Sequence, residues 1–162
     1  MSKILCVYYS RTGKTETLMQ DIAKELGCEA VKLEDGINRS GLAGWLYSGM
    51  QAMSRKVSPV NKPETALPLS EYDLVILGTP VWAGRCSAPM RSFLLQFGEE
   101  LKRVAYVITR ASENRYEQVF DQMDLYVPKP RERAVSIQCG TVGSSFWWDE
   151  FLAGLRDDRE DT

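Results

Sequence analysis

The chain has no histidine among its 162 residues. That removes the commonest general base and metal ligand, and with it histidine-based triads and most zinc sites. Cysteine is sparse: Cys6, Cys28, Cys86 and Cys139, with no C-x-x-C pair. Cys6 and Cys139 lie in apolar runs, where a thiol acts as a small hydrophobe. All four are expected to be reduced and structural. A basic excess is also missing: 20 Lys+Arg face 22 Asp+Glu, for a formal net charge of -2, and the signs are mixed along the chain. A nucleic-acid partner would want a basic face, so none is expected. No run approaches the roughly 20 apolar residues of a membrane span, and no membrane association is expected. The opening "MSKILCVYYS" goes straight into a strand-like run, without the layout of a signal peptide. The expectation is a cytoplasmic protein.

What is present is a chain that is 44% hydrophobic, enough for one domain with a real core, read as 1–162. "KILCVYYS" is continuous, β-branched and aromatic, as in a strand buried on both faces. From Gly13 to Gly27, Leu18, Met19, Ile22, Ala23 and Leu26 fall at helical spacing, closed by Gly27 as a C-terminal cap. "EAVKLE" (29–34) reads as a second strand. A helical insert lies at about 36–60. Within it Leu42, Trp45, Leu46, Gly49, Met50 and Met53 share one face, predicting a helix over 42–54 and then a Pro-rich loop. "YDLVILGT" (72–79), "RVAYVIT" (103–109) and "AVSIQCG" (134–140) read as further strands. Helices are marked by Met90, Phe93, Leu94 and Phe97, by Tyr116, Val119, Phe120 and Met123, and by Phe146, Trp148, Phe151, Leu152 and Leu155. An acidic tail at about 156–162 reads as frayed.

Strands alternating with helices predict a doubly wound three-layer α/β/α sandwich on a five-stranded parallel sheet of order 2-1-3-4-5. Ligands of such sheets sit at the carboxyl ends of the strands, beside the switch between strands one and three. The loops to read are therefore 10–15, 79–86 and 109–115.

The first loop, Ser10-Arg11-Thr12-Gly13-Lys14-Thr15, has the groups to hold a phosphate: hydroxyls, a glycine and a helix N-terminus. Three chemistries compete. A nucleotide triphosphatase loop would need glycine five residues before Gly13, where Tyr8 stands. A cysteine-dependent phosphatase would need five residues between thiol and arginine, but Cys6–Arg11 and Cys86–Arg91 each have four. Its nucleophile must also be accessible, with a depressed pKa. A bound cofactor phosphate fits best, against the plainer reading of a capped helix.

"YYSRTGKT" and "GTPVWAGRCSAPMRSFL" together resemble the flavodoxins, in particular the short flavodoxin-like proteins of bacteria. "GINRSGLAGWLYSGMQAMSRK" is similar to the helical insert of that subgroup. The resemblance is detailed from about Lys3 to Phe97 and holds beyond that as an element pattern. It implies that Ser10, Arg11, Thr12, Gly13, Lys14 and Thr15 cradle the phosphate of FMN. It implies that Thr79, Pro80, Val81, Trp82, Ala83 and Gly84 line the isoalloxazine ring, with Trp82 stacked on or beside it. The plainer reading of Trp82 is a half-buried packing residue. The third loop, with Thr109, Arg110, Ala111 and Ser112, would touch the pyrimidine edge. It departs from the family pattern in having no glycine. Arg110 could stabilise negative charge at flavin N1 and O2, occupy the pocket or point to solvent. Trp45, Leu46, Met50 and Met53 read as a packing face of the insert, or as part of a lid in which Trp45 or Tyr47 shields the flavin. The function implied is FMN-dependent electron transfer with redox partner proteins or a small electron acceptor, by a monomer or weak homodimer. The alternatives are an FMN-dependent NAD(P)H:quinone-type reductase, and a flavodoxin fold that has lost FMN and acts as a binding or regulatory module. No catalytic side chain and no metal are expected.

Overall fold

A computed structural model describes residues 2–34, 41–54, 60–140 and 144–160. The elements run β1 (Ile4–Tyr8), α1 (Lys14–Leu26), β2 (Glu29–Lys32), α2 (Gly41–Ser54), β3 (Leu74–Trp82), β4 (Arg85–Cys86), α3 (Ala88–Phe97), β5 (Val104–Arg110), α4 (Gln118–Asp124), β6 (Arg133–Gln138) and α5 (Ser144–Glu160). Five strands form one parallel sheet in the order β2-β1-β3-β5-β6, and β4 pairs antiparallel with the end of β3. Ranking the five parallel strands along the chain gives the expected order 2-1-3-4-5; β4 is an addition.

The strands bury both faces because successive side chains point to opposite sides. Leu5, Val7, Val75, Leu77, Tyr106 and Ile108 face α3 and α4 through Met90, Phe93, Val119 and Phe120. Cys6, Tyr8, Ile76, Ala105 and Val107 face α1 and α5 through Met19, Ile22, Phe151 and Leu155. Gly27 ends α1 in the left-handed conformation, φ 62°, as the glycine cap predicts. Gly78 on β3 is a close approach. A Cβ there would meet the Met19 side chain at 2.5 Å, so α1 rests on β3 only because that position is bare.

Three expectations need correction. In α2, Leu46 and Met50 are 51% and 68% exposed, while Gly44 and Ser48, four residues apart, are buried. The helix lies against α3, β3 and β4, and Leu46 and Met50, being exposed, are not part of that packing face. The side chains of Leu42, Trp45, Gly49 and Met53, and residues 36–40 and 55–59 of the insert, lie outside the described residues. Second, α5 continues through Glu160 instead of fraying from 156, and Arg156 pairs with Glu25 of α1. Phe146, expected on its inner face, is 64% exposed. Among the described residues no helix is long and apolar enough to cross a membrane.

The third correction concerns 79–86. This stretch is not a loop but the end of β3, a two-residue turn and β4, with Trp82 paired to Arg85 and Val81 to Cys86. Both turn residues have positive φ, Ala83 at 50° and Gly84 at 73°. Such a mirror-image turn matches the right-handed twist of the strands it joins. Alanine there bears a strain of about 1–2 kcal/mol.

Gly78→Ala is expected to destabilise the protein by about 1–3 kcal/mol through overpacking against Met19. Chemical denaturation would read this, and an unchanged midpoint would show that α1 yields without cost. In the hairpin, Gly84→Ala should lower the melting temperature while Ala83→Gly holds or raises it. The reverse order would contradict the turn geometry.

Candidate functional site

The carboxyl ends of β1, β3, β5 and β6 reach one edge of the sheet, and a cavity of about 200 Å³ opens there. Its walls are Arg11, Thr12, Lys14, Thr15, Pro80, Trp82, Thr109, Arg110, Ala111 and Cys139. All three loops expected from the topology therefore contribute to one cavity. A larger cavity of about 530 Å³ lies elsewhere, lined by residues of α4 and the start of β6. Its Arg131 is already paired with Asp121 and Asp124, and it sits away from the carboxyl edge where this architecture places ligands.

The first loop is shaped by its own short-range bonds. Ser10 is buried and its Oγ accepts from the Gly13 N–H at 3.0 Å. Gly13 takes φ 93°, and nothing lies within 4 Å of where its Cβ would be. The conformation, not crowding, calls for glycine. No side chain caps α1. The Thr17 N–H bonds to the Gly13 carbonyl, 3.0 Å away, so the amides of Lys14, Thr15 and Glu16 have no intrahelical acceptor. Thr15 is buried, its hydroxyl 2.8 Å from that of Thr109, which ties the start of α1 to the end of β5. Thr12 and Lys14 are exposed at the mouth and Arg11 is half-buried.

Across the switch point Trp82 is buried at the cavity wall and meets Tyr9 edge-on, with ring centroids 5.4 Å apart and planes at 86°. Thr79 does not line the cavity. It is fully buried, donates to Ser87 Oγ at 2.9 Å and accepts from the Ser87 N–H at 3.0 Å, so it fixes the hairpin to the start of α3. Val81, Ala83 and Gly84 build the hairpin and are not among the cavity walls; Pro80 and Trp82 are.

The third loop replaces glycine with a network of side-chain bonds. Arg110 Nε donates to Ser136 Oγ at 2.8 Å, and Nη1 donates to the Ser112 carbonyl at 2.7 Å. Ser136 in turn donates to the Arg115 carbonyl at 2.6 Å. Burial, with Arg115 nearby, pulls the Arg110 pKa down from its ordinary value. Arg110 is thus held at the cavity wall rather than released to solvent. Ser112 braces it through its carbonyl and does not face the cavity. The backbone strain of this loop falls on Tyr116, at φ 53°, whose N–H is held by Asn114 Oδ1 at 3.0 Å.

Cys139, just beyond β6, is a cavity residue that the sequence reading left as core packing. The signal available was positional: it follows a strand at the same carboxyl edge. Burial raises its thiol pKa, opposed by the positive charges of Lys14 and Arg110, which places both cations near one point of the cavity. Neither phosphatase candidate thiol is activated. Cys86 is buried and pushed up to about 12 by desolvation. Cys6 is raised by its bond to Cys28 and by burial. Both shifts run opposite to what a phosphatase nucleophile, which must rest as a thiolate, needs. Tyr8 is a strand residue whose hydroxyl donates to Glu16 at 3.1 Å and accepts from Gln20 at 3.0 Å, so a triphosphate-wrapping loop cannot begin there.

No family model matches the chain. Solved structures do. A flavoprotein from Lactobacillus acidophilus, crystallised with FMN, shares 22% identity and superposes with a TM-score of 0.70 over 84% of this chain and 94% of its own. Oxidised Flavodoxin 2 from Bacillus cereus shares 16%, with a TM-score of 0.57 over 97% and 99%. An apo NADH:FMN oxidoreductase shares 11%, with a TM-score of 0.58 over 98% and 90%. At such identities the likeness is one of architecture, and it agrees with the strand order and helix placement: the chain has the flavodoxin-like fold.

Proposed function

We propose that the cavity binds FMN non-covalently and that the protein transfers electrons. The observation that carries this reading is the make-up of one cavity. It joins three cations, an uncapped helix start and an indole, with no carboxylate among the described residues that line it. The chain as a whole carries a formal net charge of -2, so this concentration of positive charge is local and suits an anion. The Lactobacillus acidophilus neighbour, whose structure contains FMN, supports the choice of anion.

The residues present fit such a group. The amides of Lys14, Thr15 and Glu16 with the Thr12 hydroxyl would hold a phosphate at the start of α1, and Arg11 and Lys14 would offset its charge. Ser10 keeps the loop in shape by occupying the Gly13 N–H. Trp82, fixed on Tyr9, would offer an aromatic face to the ring. A cavity of about 200 Å³ is below the roughly 300–1,000 Å³ of enclosed ligand sites, so part of the ring would stay open to an electron partner. FMN, when bound, supplies the redox chemistry. Arg110, oriented by Ser136 and Ser112, would stabilise negative charge on the pyrimidine edge.

We place the protein in the cytoplasm, where its four free cysteines would stay reduced, as a monomer or weak homodimer serving redox proteins or a small acceptor. A second reading, a reductase with its own substrate, is favoured by the open cavity and by the likeness to an NADH:FMN oxidoreductase.

Titration of the purified protein with FMN should quench flavin fluorescence. Thr12→Ala with Thr15→Ala should weaken binding at least tenfold, about 1.4 kcal/mol. No quenching by the unaltered protein would overturn both flavin readings and leave a binding module without FMN. Consumption of NADPH with a quinone would select the reductase. Arg110→Ala should shift the midpoint potential of bound FMN to more negative values, because the reduced, more negative form loses its cation. A potential that does not move would mean that Arg110 only braces its loop.

A further inference from the structure

The Sγ atoms of Cys6 and Cys28 lie 3.7 Å apart. Cys6 is on β1 and completely buried; Cys28 follows the Gly27 cap of α1 and is half-buried. The sheet explains the meeting. In the parallel register Cys6 is the partner of Ala30, and Cys28 stands two residues before Ala30 on the same face. Both side chains therefore point to the α1 side of the sheet, diagonal to each other, one in the core and one at its margin. A disulfide needs sulfurs about 2.05 Å apart, so closure asks for a movement of about 1.7 Å. Cys28 can supply it, because β2 is an edge strand and the residue lies just before it, outside the paired ladder.

We infer that Cys6 and Cys28 form a peroxide-responsive dithiol–disulfide pair, independent of the flavin site. Cys28 is the thiol within reach of solvent and reacts first. Its sulfur attacks the O–O bond of a hydroperoxide and becomes a sulfenic acid, and the peroxide leaves as an alcohol, or as water from hydrogen peroxide. Cys6 then attacks the Cys28 sulfur, the S–S bond forms, and hydroxide departs with the Cys6 proton as water. The two thiols lose two hydrogen atoms and two electrons overall, and the hydroperoxide is reduced. Cys6 keeps its proton until this step, held by Cys28 and by burial. The bridge closes a loop that contains the whole anion cradle and α1, residues 10–26, so it constrains the unfolded chain across the segment that builds the site.

The test uses the full chain exposed to hydrogen peroxide, with remaining thiols blocked by N-ethylmaleimide. Intact mass should fall by two hydrogen atoms relative to the reduced protein before blocking. Trypsin should release a dithiothreitol-sensitive species joining Ile4–Arg11 to Glu25–Lys32, and the oxidised protein should melt at a higher temperature. Cys6→Ala should leave a sulfenic acid on Cys28 that dimedone traps, and Cys28→Ser should give neither bridge nor adduct at that position. If Cys6→Ala fails to fold, the linked peptide from the unaltered protein still decides. Absence of that peptide after peroxide, or oxidation of Cys139 with Cys28 still blocked by maleimide, would overturn the inference.

Discussion

The hydroxyl pair Thr15–Thr109, 2.8 Å apart and buried, is the interaction on which the site depends. Parallel strands deliver their carboxyl ends to one edge, but they do not by themselves fix the loops that follow. Here each strand end carries a buried hydroxyl with a sideways partner. Ser10 holds Gly13, Thr79 holds Ser87, Thr109 holds Thr15, and Ser136 holds Arg110 and the Arg115 carbonyl. A buried polar group without a partner costs about 1–3 kcal/mol. Three of these partnerships are local, within the first loop, between the hairpin and α3, and between β6 and the third loop, whereas Thr15–Thr109 joins the first loop to the third. The layer therefore ties the cradle to the third loop, while the hairpin is fixed separately to the start of α3.

This division of labour separates shape from contact. Thr79 and Ser10 are candidates for touching a ligand, yet the hydroxyl of Thr79 is bonded to Ser87 at the start of α3 and that of Ser10 accepts from the Gly13 N–H within its own loop. Beside them the first amides of α1 have no intrahelical acceptor. Backbone donors held in place by buried side chains would leave little ordering entropy to oppose the binding of an anion.

The sheet order and the two long motifs were legible because hydrophobic runs and helical spacing repeat over many residues. The hairpin at 79–86 was not. Its turn is Ala83-Gly84 rather than Asn-Gly, and alanine gives no turn signal; the strain it bears is tolerated because Trp82 and Arg85 pair on either side. The exposed face of α2 was misread for a related reason. Periodicity marks a stripe of large residues but not which side of the helix meets the sheet, and among the described side chains Gly44 and Ser48 are the buried ones. Cys139 was hidden by its apolar run, since composition cannot tell the last core residue of a strand from the first residue of a site. The bracing of Arg110 was out of reach altogether, because Ser136 lies on another strand, 26 residues away.

The electrostatics follow from the same geometry. Arg110 donates to a serine hydroxyl and a carbonyl, both neutral, so these bonds orient its charge without cancelling it. Arg131 offers the contrast: it is also half-buried, but it pairs with Asp121 and Asp124, and those partners raise its pKa where burial lowers that of Arg110. One cation is neutralised in place and the other is kept positive at a cavity wall. Arg110 shares that cavity with Lys14 and Arg11, and an anion placed there would meet positive charge from more than one side.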